Sequence, residues 1–198
     1  MSTGLPRINT RSKFGTRDLS AERRQCIDNA EIQSVLQAIG TRVPPASRLI
    51  LVGGSALSLL GSPRPTIDID FIGDDVHPEP LHQIILEIAE ELDIDAEPVP
   101  LDKFVPLPQG NEERVIRIGQ YGNLEIFIAD PYSIALSKVD RGADTDYDDL
   151  VFLVQYNHVD INEFERMVQE ALPHARQFDF HPDIRKHLQE LKNRLGTR

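Results

Sequence analysis

The sequence has no tryptophan, one cysteine and two methionines among its 198 residues, and only 6% of it is aromatic. A lone Cys26 cannot close an internal disulfide, so the fold has to be held by burial rather than by covalent staples. No apolar run approaches the roughly 20 residues that a membrane helix requires, which argues against a spanning segment. The opening residues, Met-Ser-Thr-Gly-Leu-Pro-Arg, lack the apolar stretch of a secretory signal, and a cytoplasmic location is expected.

Basic residues are also in short supply: 21 Lys and Arg face 32 Asp and Glu, a formal charge of −11. The deficit is uneven, with +4 on residues 1–17, +4 on residues 185–198 and therefore −19 between them. Such a body repels phosphate backbones, so sequence-independent nucleic-acid binding is disfavoured unless basic ends or bound cations mediate it. Both ends read as solvated termini, with 1–17 a flexible basic segment and 18–198 a single domain.

The apolar pattern is that of a mixed α/β chain. Asp28 and Glu31 have capping-box spacing, and Ile32, Val35, Leu36 and Ile39 follow on one helical face up to Gly40. Arg48 to Val52 reads as a strand entering Gly53-Gly54, with a short helix from Ser55 to Leu60. Thr66 to Ile72 alternates strictly, placing Ile67, Ile69 and Phe71 on a core face and Asp68 and Asp70 on the other. Leu81, Ile84, Ile85, Ile88 and Leu92 predict a core-facing helix. A third strand over 94–99 and a hairpin over 114–119 and 124–129 follow. Asp130-Pro131 starts the first of four helices, over 131–141, 146–156, 161–171 and 182–195, and Asp160 to Glu163 forms another acidic capping pattern. The expected fold class is α+β: a small mixed β-sheet flanked by helices (core 46–130) with a helical C-terminal part (131–198).

The chemistry concentrates between Gly53 and Asp70. Two glycines between a strand and a helix permit a sharp turn and the close approach of another group. The helix start offers free N–H groups to an anion, and Ser55 adds a hydroxyl. Thirteen residues later, Asp68 and Asp70 emerge from one side of a strand, and two like charges so placed call for a hard cation such as Mg²⁺ (or Mn²⁺). A phosphate cradle beside a carboxylate pair is equipment for phosphoryl or nucleotidyl transfer. Alone, each element has a plainer meaning, a tight turn or a solvated strand face; their joint spacing carries the argument. Asp144, Asp146 and Asp148 imitate the start of a calcium loop, but Asp149 stands where its glycine belongs and Gln155 where its final Glu belongs. There is no P-loop and no Gly-x-Ser-x-Gly elbow, and the six histidines show no zinc spacing and are expected at the surface.

Gly53-Gly54-Ser55 followed by Arg64-x-Thr66-x-Asp68-x-Asp70 resembles the signature of the nucleotidyltransferase superfamily with the polymerase-beta-like fold, in its minimal form related to abortive-infection nucleotidyltransferase toxins. Ala135-Leu136-Ser137-Lys138 and Asp146-Tyr147-Asp148-Asp149 resemble the later lysine and Asp-x-x-Asp motifs of that group, so the resemblance spans about 46–156. It implies that Gly53, Gly54 and Ser55 hold phosphate oxygens and that Asp68 and Asp70 ligate two metal ions. It further implies that Arg64 and Lys138 approach the triphosphate and that a third acid completes the site. Asp95 or Glu97 is favoured for that acid over Glu125. Arg141, Asp146 and Asp149 are expected to support the site or to form an inter-helix salt bridge. The implied partners are a nucleoside triphosphate, an acceptor hydroxyl on an RNA end or a protein, and an antitoxin. The competing expectation is a non-catalytic binding or regulatory module on the same fold.

Overall fold

A computed structural model describes residues 26–196, and the expected flexible segment 1–17 lies outside the described residues. Its elements run α1 (Asn29–Arg42), β1 (Ser47–Leu51), α2 (Gly53–Leu59), β2 (Asp68–Ile72), α3 (Pro80–Glu91), β3 (Asp95–Val99), α4 (Leu101–Phe104), β4 (Ile116–Tyr121), β5 (Leu124–Ile128), α5 (Pro131–Arg141), α6 (Asp144–Gln155), α7 (Ile161–Ala171) and α8 (Ile184–Gly196). The strands form one open sheet in the order β3-β2-β1-β5-β4. It is mixed: β1–β5 and β2–β3 are parallel, while β1–β2 and β4–β5 are antiparallel. The α+β class and the helical C-terminal region are as expected.

The strands alternate because one face is fully packed and the other only in part, with Ile50 and Ile72 half-buried against the core. Leu49, Leu51, Ile69, Phe71, Leu124, Ile126 and Ile128 are all nearly fully buried on the packed face. Ile32, Leu36 and Ile39 of α1 join the same core. Each such side chain contributes about 1.5–3 kcal/mol by leaving water. A second part of that core lies among α5, α6, α7 and α8, where Val139, Leu150, Leu153, Phe164 and Leu191 are buried.

The expected caps form. Asp28 accepts from Glu31 N while Glu31 accepts from Asp28 N. Asp130 caps α5 through Tyr132 N and Ser133 N, and Asp160 caps α7 through Asn162 N and Glu163 N. Asp130 is 2% exposed and also receives a two-pronged hydrogen bond from Arg114, at 2.8 and 2.9 Å, which ties the loop before β4 to the start of α5.

Four local expectations are corrected. Gly40 does not end α1, which runs on to Arg42; a Cβ there would sit 1.7 Å from Tyr121 O, so the glycine instead lets the β4–β5 turn lie on the helix. Ile67 is 39% exposed because β2 starts only at Asp68, and Thr66 makes just an isolated bridge to Ile27. Leu92 is 43% exposed because it lies beyond the last turn of α3, whose buried face is His82, Ile85, Ile88 and Ala89. His82 is therefore interior rather than at the surface: its ring packs 4.9 Å from that of Phe71, and burial lowers its pKa.

Candidate functional site

The antiparallel β1–β2 pair places Asp70 beside the end of β1, where Val52 N donates to Asp70 O at 2.9 Å. The chain then turns directly into α2, whose first residue, Gly53, has φ +63. A Cβ on Gly53 would meet Asp70 Oδ2 at 2.0 Å, and one on Gly54 would meet Thr66 Oγ1 at 2.5 Å. The glycine turn is thus pressed against the acidic strand. Thr66, itself buried, donates to Asp68 Oδ1 at 2.9 Å and fixes that carboxylate's orientation.

The parallel β2–β3 register pairs Asp68 with Asp95 and Asp70 with Glu97. Directly paired residues of a parallel ladder share a face, so four carboxylates line one side of two adjacent strands. Asp95 and Glu97 are exposed on β3, an edge strand, where the missing N–H of Pro98 is tolerated. Glu125 is elsewhere. It pairs with Arg48 at the far end of β1 and is held by Arg117 at 2.6 Å and Arg48 at 3.3 Å.

Burial, and then the charges of Asp68 and Glu97, push the Asp70 carboxyl up to about 7, with Lys138 and Arg141 acting in the opposite sense. Those cations belong to a compact network. Lys138 is 3% exposed, and its Nζ lies 2.7 Å from Asp149 Oδ2 and 3.5 Å from Asp146 Oδ1. Arg64 donates to both oxygens of Asp149 at 2.8 and 2.6 Å, and Arg141 to both of Asp146 at 2.8 and 2.6 Å. Hydrogen bonding to Asp149 raises the Arg64 pKa. Burial alone would raise the Asp146 carboxyl, but Arg141 and Lys138 outweigh it and the net shift is downward. Three cations against two carboxylates leave this network with one surplus positive charge beside Asp70.

A family model described as nucleotidyltransferase of unknown function (DUF6036) matches residues 30–187. The chain belongs to this nucleotidyltransferase family. No curated protein and no solved structure matches it. The match takes in the whole sheet and the helices through most of α8's first turn.

For this nucleotidyltransferase the structure brings together Gly53, Gly54, Arg64, Asp68, Asp70, Lys138, Arg141, Asp146 and Asp149, with Asp95 and Glu97 on the adjoining strand. Ser55 is fully buried and its hydroxyl donates to Val52 O at 3.2 Å, because α2 starts at Gly53, two residues before the predicted start. Thr66 is a further site residue that the sequence reading does not single out: its place two before Asp68 is visible in the motif, but its bond to Asp68 is not. Among the described residues no three acidic, histidine or cysteine side chains converge on a point that could hold a metal ion.

Gly53→Ala tests how tightly the turn and Asp70 are fitted. The left-handed backbone costs an alanine roughly 1–2 kcal/mol, and the added methyl would displace the Asp70 carboxylate. We expect a melting temperature several degrees lower; an unchanged one would show that the turn is not held against β2.

Proposed function

We propose that this chain is a divalent-metal-dependent enzyme that moves a nucleoside monophosphate from a nucleoside triphosphate to an acceptor hydroxyl, with Asp68 and Asp70 as the metal-holding carboxylates. The observation that carries the reading is Asp70: a carboxylate pressed on a glycine turn, crowded by Asp68 and Glu97 and raised to about 7, that makes no ion pair of its own among the described residues. The donor set fits a hard cation that takes one or two carboxylates and completes its shell with water and phosphate oxygens, as Mg²⁺ or Mn²⁺ does. When bound, such an ion supplies charge neutralisation for the triphosphate and acidity for the acceptor hydroxyl.

In this reading the new bond joins the acceptor oxygen to the α-phosphorus while the bond to the bridging oxygen breaks and pyrophosphate leaves. Thr66 holds Asp68 in place. Glu97, in register with Asp70, is the preferred third acid over Asp95, which pairs with Asp68. Lys138 and Arg141 add the positive potential that an acidic body otherwise denies to a triphosphate. Gly53 and Gly54 stay as candidates for the phosphate end, with Arg64 beside them, and Asp146 and Asp149 fix the cations. The acceptor classes in view are an RNA end or a protein hydroxyl, in a cytoplasmic toxin–antitoxin setting. The −19 borne by residues 18–184 favours the protein.

The test is incubation of the pure protein with Mg²⁺ and each labelled triphosphate, together with total RNA or a cell lysate. Label entering RNA or protein is the expected result. Thermal melting should rise with Mg²⁺ and nucleotide together, by about 2.7 kcal/mol of stability at a hundred times the dissociation constant. No transfer and no shift with any triphosphate would favour the non-catalytic module instead.

A further inference from the structure

Resting on the nucleotidyltransferase reading, we propose that a groove between the 61–66 loop and α6 receives the nucleobase of the triphosphate, stacked on Tyr156. The groove has a volume of about 410 Å³ and is lined by Ser62, Arg64, Asp148, Phe152, Gln155 and Tyr156. That volume lies within the roughly 300–1,000 Å³ of small-molecule pockets. Tyr156 is 61% exposed, an unusual outlay in a chain with no tryptophan and four tyrosines. Its ring is not loose: it lies on buried Phe152, with centroids 4.7 Å apart and planes inclined by 36°, and His158 packs on the same Phe152 at 5.8 Å. An aromatic face supported from beneath and open above is a stacking platform, which accepts any base because every base has a π-face. Gln155 offers a donor and an acceptor to a base edge, and Asp148 offers acceptors.

Position selects the base over other flat ligands. Arg64 forms one wall of the groove, and its guanidinium nitrogen lies 3.6 Å from where a Cβ of Gly54 would be. The same arginine grips Asp149, which holds Lys138 near Asp70. A nucleotide with its phosphates at the glycine turn and the acids thus meets Arg64 next, and the groove beyond it is where its base can lie. A second hollow of about 400 Å³, lined by Asp28, Asn29, Ser58 and Arg64, borders the same arginine but has no aromatic ring.

Calorimetric titration of the wild-type protein and of Tyr156→Ala and Tyr156→Phe, each with Mg²⁺ and either a nucleoside triphosphate or inorganic tripolyphosphate, tests this. Tyr156 is solvent-facing, and circular dichroism melting verifies that the variants are folded. The expected result is that at least one triphosphate binds wild type more tightly than tripolyphosphate. Tyr156→Ala should then lose about tenfold for that nucleotide, Tyr156→Phe should retain it, and tripolyphosphate should bind all three alike. Equal nucleotide affinity in Tyr156→Ala and wild type, or a parallel loss for tripolyphosphate, overturns the base groove and leaves the nucleotidyltransferase reading standing. If wild type binds neither ligand, both fall.

Discussion

Changing Asp68 and Asp70 together to Asn is expected to lower nucleotide transfer by at least about 10³-fold while leaving the protein folded, since a metal's charge stabilisation is worth several kcal/mol. The fold should not merely survive. Asp70 has its carboxyl raised to about 7 by burial and by two neighbouring carboxylates, against about 3.8 in the unfolded chain. A carboxyl with a raised folded pKa binds its proton more tightly when folded. Its favourable contribution is therefore complete below pH 4 and is lost as the pH climbs from 4 to 7, and above that the ionised group burdens the native state. Asn at position 70 carries no such charge, so Asp70→Asn should match wild type near pH 4 and exceed it by about 1–2 kcal/mol at pH 8 in the absence of metal. The same titration governs metal affinity. A proton and a cation compete for Asp70, so binding of Mg²⁺ or Mn²⁺ should weaken about tenfold for each pH unit below 7. Melting curves at pH 4 and 8, with and without metal, check both statements. A double variant that transfers nucleotide at the wild-type rate, or a single variant less stable than wild type at pH 8, would remove Asp70 from the role assigned to it.

The acidic strand was legible because Thr66 to Ile72 alternates strictly, and strand periodicity alone puts Asp68 and Asp70 on one side and Ile69 and Phe71 on the other. The helix starts were legible for an equally local reason: Asp28, Asp130 and Asp160 each bond to backbone a few residues ahead. Parity also put Asp95 and Glu97 on one face of their strand. It could not say which faces Asp70, because that depends on the β2–β3 register, a long-range quantity. Gly40 shows the other limit. A glycine near a helix end reads as a stop, and only the approach of Tyr121 from the hairpin, some 80 residues on, reveals it as a contact point. Ser55 failed through a shift of two residues. With the helix beginning at Gly53, the hydroxyl lies within reach of Val52 O rather than at an open end. The pairing of Arg64 with Asp149 spans 85 residues and no motif announces it. The sequence suggested Lys138 and Arg141 against Asp146 and Asp149, and the structure adds Arg64 as the cation that closes the network.

That network predicts an asymmetry between its members. Asp149 is 1% exposed and accepts from Lys138 and from both Nε and Nη2 of Arg64. Asp149→Ala strands a buried ammonium, left only its longer 3.5 Å contact with Asp146, and frees an arginine that is 34% exposed. Removing one partner of a buried pair costs about 3–5 kcal/mol, because the remaining charge keeps its desolvation penalty. For a domain of this size that is a fall in melting temperature on the order of 10 °C. Lys138→Met has a different outcome. Asp149 still receives two hydrogen bonds from Arg64 and Asp146 still receives two from Arg141, so both buried carboxylates stay paired, and a methionine of similar length fills the space. Its stability loss should be well under half that of Asp149→Ala. The functional order reverses: Lys138→Met removes the surplus positive charge beside Asp70 and should lower transfer about 10²-fold in a protein that remains folded. Paired melting and transfer assays on the two variants decide the matter. If Lys138→Met melts lower than Asp149→Ala, the lysine is there to hold the helices together. If it melts close to wild type and transfers nucleotide normally, the surplus charge has no part in the chemistry.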